Sequence, residues 1–308
     1  MRSAEALGGS GAISFHEGSR VLRALRDVGG ALWADPYGRV GACILILFAL
    51  VAVASPYVAP YDPWANNYGP GGQLARLEGI STRHWLGTTY YGQDVLSQTL
   101  LGSRLAFAVG LLSAILIGSI GTNVGLVSGY FGGRVDDVLM RITDIAYAIP
   151  FLPFMIVIVS LLGPRLEVII GSMSLVFWRT AARVVRAQVL SLRERPYILA
   201  ARAAGAGHLR ILYVHLLPNI LPLAFLYLVF GVAWAVLTEA SLSFVGLGDP
   251  NRVSWGLMLF QAFTLGAMRH AWWWVVPPGG ALMLFLVGCY FVGRAYEERI
   301  NPRLRARG

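Results

Sequence analysis

The sequence predicts an all-α polytopic membrane protein with six transmembrane helices and both termini in the cytoplasm. Three observations lead there. The 308 residues are 56% hydrophobic and 13% charged, with mean hydropathy +0.61, too apolar for a water-soluble globule. Six long runs carry no charge or almost none. All 25 basic residues are arginine, and they fall between those runs rather than within an aromatic-interleaved basic patch, so nucleic acid is not the expected partner.

Residues 1–37 read as a cytoplasmic N-terminal segment. Residues 1–18 are rich in Gly, Ser and Ala; residues 19–34 space Val21, Leu22, Leu25, Val28, Leu32 and Trp33 among Arg20, Arg23, Arg26 and Asp27. That pattern suits an amphipathic elbow helix on the lipid surface, or a soluble surface helix. No cleavable signal peptide is evident, because the first apolar run lies too deep and is too long. Residues 38–104 would hold the first span and an extracytoplasmic loop. Residues 105–295 would form the transmembrane core, and residues 296–308 a cytoplasmic tail.

The uncharged runs are 40–61, 105–133, 145–164, 168–178, 211–238 and 271–293. A helix needs about 20 apolar residues to cross the hydrocarbon core. The fourth run is short, but counting it as a span places every Arg-rich segment on one side. Its helix is expected to continue past the bilayer, with Arg179, Arg183 and Arg186 at helical spacing, either snorkelling or making contacts. With the N-terminus inside, nineteen arginines lie in the cytoplasmic segments and six outside. This is a firm positive-inside bias.

Local patterns refine the spans. Pro150 and Pro153 are expected to break the third one, and Pro218 and Pro222 to bend the start of the fifth. Such breaks suit a pathway better than a plain anchor. Gly129–Gly133 suits a tight turn, followed by Arg134, Asp136, Asp137 and Arg141 as a solvated charge run. Residues 253–268 read as a re-entrant or interfacial helix, with Trp255 and Trp272–Trp274 as interface anchors. Asp144 and Glu239 lie near the ends of spans, where a structural role is as plausible as lining a path. Cys43 and Cys289 both fall inside apolar runs, which argues against a disulfide framework or a metal site.

The segment from Arg195 to Pro222, RPYILAARAAGAGHLRILYVHLLPNILP, differs from its apolar surroundings. Its alanines favour helix and leave a low-relief surface, and Gly205 can turn the chain sharply. The spacing is Ala200-Ala201, three residues, Gly205, nine residues, then His215-Leu216-Leu217-Pro218. This closely resembles the cytoplasmic coupling loop of bacterial ABC importer permeases, Glu-Ala-Ala-x3-Gly-x9-Ile-x-Leu-Pro. Leu199 stands in place of the Glu and His215 in place of the Ile. Two short helices, 198–204 and 207–214, are expected about Gly205.

Other stretches resemble the dipeptide, oligopeptide and nickel branch of that family, in order and spacing. They are HWLGTTYYGQDVLSQTLLGSRLAFAVG (84–110), GYFGGRVDDVLMRITDIAYAIP (129–150), LSFVGLGDPNRVSWGLML (242–259) and GRAYEERINPRLR (293–305). Thr89 and Gln93 depart from the family pattern. The tail is similar to that of the C-type subunit.

The resemblance implies a type I ABC importer permease fold in a bacterial cytoplasmic (inner) membrane. It implies half of a translocation pathway for di- or oligopeptides or related small solutes. The other half would come from a second, different permease. Two ABC ATPase subunits carrying ATP and Mg would dock beneath, and an extracytoplasmic substrate-binding protein would deliver cargo. The implied ATPase-contacting residues are Leu199, Ala200, Ala201, Arg202, Ala204, Gly205, Ala206 and His208. Asp144, Tyr147 and Glu239 are candidates for the translocation path or gate.

With no lysine, the chain cannot hold a Gly-x4-Gly-Lys-Ser/Thr phosphate loop, so it is not itself the ATPase. No nucleophile, zinc or paired-carboxylate pattern appears, so no catalytic residue, bound cofactor or metal is expected. An ATP-independent carrier or channel is the alternative. It would want an internal repeat and midplane charges, and neither is visible. A membrane scaffold subunit is the other possibility.

Overall fold

The computed structural model describes residue 30 and residues 33–300, with the side chains of the last two left out. Most of the expected elbow helix and the end of the tail lie outside the described residues. The described helices are α1 (Pro36–Val58), α2 (Val95–Phe131), α3 (Gly133–Ala148), α4 (Phe151–Leu162), α5 (Leu166–Leu192), α6 (Pro196–Ala203), α7 (His208–Phe244), α8 (Trp255–Thr264) and α9 (Trp272–Ile300). Five of these are long and apolar enough to cross a membrane, and the bent pair α3–α4 passes the same measure when taken together as one broken span.

The first two spans begin at aspartate caps. Asp35 caps α1 by accepting from Gly38 N at 2.8 Å, with Pro36 in the first turn. Asp94 caps α2 through Ser97 N, also at 2.8 Å. From there α2 runs 37 residues, about 56 Å at 1.5 Å per residue. It therefore starts ten residues before the uncharged run predicted for it. The fourth span is the 27-residue α5, which does continue through Arg179, Arg183 and Arg186 as expected.

At the bundle's centre α2 lies along α5. Gly121, Gly125 and Gly129 of α2 face it at four-residue intervals. A Cβ on Gly125 would come within 2.6 Å of the Ala182 carbonyl oxygen, and one on Gly129 within 2.7 Å of Val189 Cβ. Small residues at this spacing let two membrane helices approach closely, where packing rather than water exclusion drives association. On the edge, α1 packs on α9, where Gly41 meets Phe291 and Val292.

Residues 59–94 form a folded cap at the end of α2 remote from the Arg-rich loops. Thr88 is buried; its Oγ1 donates to Ala75 O at 2.5 Å and accepts from Glu78 N at 2.9 Å. Buried His84 Nδ1 lies 2.9 Å from Asp94 Oδ1, so the residue that caps α2 also ties down the loop. Thr89 Oγ1 accepts from Tyr91 N and Gln93 N, and Gln93 Oε1 accepts from Gln98 Nε2 at 2.9 Å. The two positions that depart from the family pattern thus serve this cap.

Three expectations need correction. Pro153 does not break the third span. The break falls at Pro150, which caps α4, and Pro153 lies in the first turn of α4, where a missing N–H costs nothing. Trp255 and Trp274 are not interface anchors. Both are buried; Trp255 Nε1 donates to Thr99 O at 2.9 Å, and Gly102 leaves room for its ring. Of the triplet only Trp272 is exposed. Finally, Asp136 is not a solvated charge. It accepts two bonds at 2.5 Å from the Arg186 guanidinium and one from Ser128 Oγ, which joins α3 to α5 and α2.

Candidate functional site

The segment after α5 is built as a rigid turn. Arg195 precedes α6 in extended conformation, and Pro196 opens the helix at a position where its fixed φ is an advantage. The helix ends in a Schellman motif. Gly205 N donates to Arg202 O at 2.9 Å and Ala206 N to Ala201 O at 3.0 Å, with Gly205 at φ +78. Only glycine takes that conformation without strain. Nothing lies within 4 Å of a Cβ placed there, so backbone conformation rather than space demands the glycine.

One residue anchors α6. Ile198 is fully buried among Leu126, Tyr130, Val189, Ile211 and Leu216. Ala201 and Ala206 are half-buried, whereas Leu199, Ala200, Arg202, Ala204 and Gly205 are exposed. His208 is exposed too, but its Nδ1 lies 2.9 Å from Tyr130 Oη, and the Arg202 guanidinium sits 5.0 Å from the centroid of the Tyr130 ring. These two residues hold the turn to α2 as well as facing outward.

The expected second short helix, 207–214, is not separate. The chain enters α7 at His208 and continues to Phe244, with a π-helical stretch at Ile211–Leu216. Pro218 gives the reason. It cannot donate to the Val214 carbonyl four residues earlier, which an α-helix would require. The widened turn, seen in Leu217 N donating to Leu212 O, moves that demand away from the proline. Asn219 Nδ2 also supplies the His215 carbonyl, at 2.6 Å. Proline here bends the helix without ending it.

The gate candidates separate into two places. Asp144 pairs with Arg183 at 2.5 Å, and both are well exposed. The guanidinium groups of Arg179 and Arg183 both lie over the Tyr147 ring, at 4.7 and 4.0 Å from its centroid. Glu239, by contrast, is 5% exposed and accepts from Ser243 Oγ at 2.6 Å. No hydrogen bond or ion pair among the described residues links it to Asp144 or Tyr147. The arginine row on α5 was visible in the sequence, but its facing row on α3 was not read as such. Asp136, Asp144 and Tyr147 recur at intervals of eight and three, and that spacing could have found it.

An exposed ion pair contributes about 1 kcal/mol or less. Asp144→Asn is therefore expected to leave assembly intact. A gate role predicts a changed transport rate in the assembled protein, measured as uptake per copy. Normal uptake would leave Asp144 a surface ion pair only.

Comparison with known proteins assigns this architecture. Residues 121–306 match the family model described as the binding-protein-dependent transport system inner membrane component. Residues 25–72 match the N-terminal TM domain of oligopeptide transport permease C. The chain is 34% identical over 284 residues to the oligopeptide transport system permease protein OppC of Bacillus subtilis, covering 89% of this chain and 91% of that one. It is 32% identical to the dipeptide permease DppC of Haemophilus influenzae, covering 86% and 90%. It is 33% identical to the glutathione permease GsiD of Pectobacterium atrosepticum, covering 86% of each. Among solved structures, an inward-facing form of the MetNI methionine ABC transporter shares the fold. The TM-score is 0.51 at 21% identity, over 67% of this chain and 95% of that one. The chain accordingly belongs to the binding-protein-dependent transport family, as a multi-pass membrane permease subunit of an ABC importer whose ATP is hydrolysed by separate subunits.

Proposed function

We propose that this subunit forms half of a translocation pathway for di- or oligopeptides or related small solutes in a bacterial inner membrane. A second, different permease would form the other half. Two ATPase subunits would bind α6 and the turn at Gly205, and an extracytoplasmic binding protein would deliver cargo. The peptide class comes from the relatives, which are named for oligopeptide, dipeptide and glutathione transport.

The observation that carries the reading is the exposed turn. A short helix held by one buried side chain and a Schellman lock, with small residues outward, suits close approach by another protein. The break in the third span supports a paired permease. Asp144, Tyr147, Ala148 and Pro150 are exposed around it. Interrupted backbone at membrane depth is stable only against protein or a water-filled cavity, so this face wants a partner or a path rather than lipid.

ATP binding would close the ATPases and move α6. The paired permeases would then change between inward- and outward-facing states, a two-state element biased by ligand. Purification with the co-encoded neighbours tests the assembly. ATPases and a second permease should copurify, and ATP-dependent uptake should follow reconstitution with a binding protein. A complex without ATPases would leave a carrier or scaffold instead. A ligand screen on the binding protein would identify the cargo.

In this reading both termini would lie in the cytoplasm and the 59–94 cap outside. A cysteine at exposed Asn66 should react with a membrane-impermeant maleimide added to intact cells. Neighbouring Asn67 is unsuitable, because its side chain donates to Gly92 O at 2.9 Å inside the cap. Protection of Asn66→Cys until the membrane is opened would overturn the orientation.

A further inference from the structure

Pro150 has no N–H, so the carbonyl of Ala146, four residues earlier, lacks the donor a continuous helix would provide. A different helix supplies one. Arg179 Nη1 on α5 donates to Ala146 O at 2.7 Å. Ala146 itself is buried, so water is not a ready substitute. The same guanidinium stacks on Tyr147, whose other neighbour is Arg183, and Tyr147 Oη donates to Thr180 Oγ1 at 3.1 Å. Beyond this point the chain turns by 84° into α4.

We infer that Arg179 is a positioning residue for transport. It stands in for the N–H that Pro150 lacks, and so fixes both the bend between α3 and α4 and the place of Tyr147. A backbone N–H could release that carbonyl only by unwinding its own helix. A guanidinium on a flexible stem releases and retakes it while α5 stays intact. The bend is therefore adjustable at one hydrogen bond, next to the exposed face around Asp144 and Tyr147. The inference rests on the proposed reading of that face as a border of the pathway.

The test uses the whole transporter reconstituted in liposomes. Arg179→Met keeps the unbranched apolar stem and removes the donor; Arg179→Lys restores a charged donor on a flexible stem. The readouts are cargo moved per ATP hydrolysed and amide hydrogen exchange over residues 143–149. Arg179→Met is expected to lower cargo per ATP at least tenfold and to speed exchange in that stretch by a similar factor. Arg179→Lys should recover most of both. Wild-type coupling in Arg179→Met would overturn the inference, as would equal losses in Met and Lys with unchanged exchange. If Arg179→Met fails to assemble, adding Pro150→Ala returns the N–H and should restore assembly; a double variant that remains unassembled also overturns it. A wild-type complex that shows no ATP-dependent transport would instead count against the proposed function.

Discussion

Gly125→Leu is expected to abolish assembly of the transporter. Gly125 lies on the stripe where α2 meets α5, and a Cβ there would come within 2.6 Å of Ala182 O and 2.7 Å of Val185 Cβ. One of those atoms is backbone, so no rotamer change relieves the contact. Gly121 and Gly129 are equally tight one turn to either side, so the helices cannot separate at one point while staying close at the next. Overpacking a well-filled core costs about 1–3 kcal/mol per site, and a four-carbon side chain against backbone falls at or above the upper end. Native proteins have only about 5–15 kcal/mol of stability in total. The yield of assembled complex should fall at least tenfold. Gly118→Leu is the control, since nothing lies within 4 Å of a Cβ at Gly118 on the same helix. Equal yields from the two variants would refute the close-packed stripe.

The second large effect belongs to the turn at Gly205. Gly205→Val is expected to leave the spans folded and to uncouple ATP hydrolysis from transport or release the ATPases. The residue sits at φ +78, and a β-branched side chain there costs on the order of 1–3 kcal/mol. Space around it is open, so the strain must be relieved by opening the Schellman bonds, which reorients α6. Ala201→Arg acts differently. Ala201 is half-buried three residues after the buried Ile198, so added bulk there disturbs the seat of the helix or its approach to a partner. Transport should fall at least tenfold in each variant, measured beside ATPase copurification. If both variants kept transport and copurification at wild-type levels, the turn would be only a connector. Leu199 is exposed where family members carry Glu, so the facing ATPase surface is expected to be apolar and less basic than usual.

Much of this was legible in the residues. The apolar runs located the five long spans and the bent pair α3–α4, and Arg179, Arg183 and Arg186 at helical spacing foretold that α5 continues past its apolar run. The glycine in the loop is where a positive φ is required. What failed did so for identifiable reasons. Hydropathy cannot separate Trp255, which fills the space beside Gly102, or the buried Trp274 from a tryptophan such as Trp272 that is exposed. Helix periodicity says nothing of a π stretch, which arises from the carbonyl demand that Pro218 leaves unmet. A charge run reads as solvated until the opposing helix is placed. Asp136 looked like surface because Arg186 lies 50 residues away in sequence. The spacing of Gly121, Gly125 and Gly129 was readable and signals close helix packing, but only the folded structure identifies α5 as its neighbour.

The way α6 is held also bears on how such a transporter can diverge. Its fold depends on Ile198, on Pro196 and on backbone bonds about Gly205; none of these needs Leu199, Ala200 or Ala204. The face proposed to meet the ATPases can therefore vary in sequence while the scaffold beneath it stays fixed, and Leu199 stands there where the family motif has an acidic residue. A permease of this design could change its allegiance from one ATPase to another through two or three surface substitutions. Related importers in one cell could be kept from exchanging subunits by the same few positions.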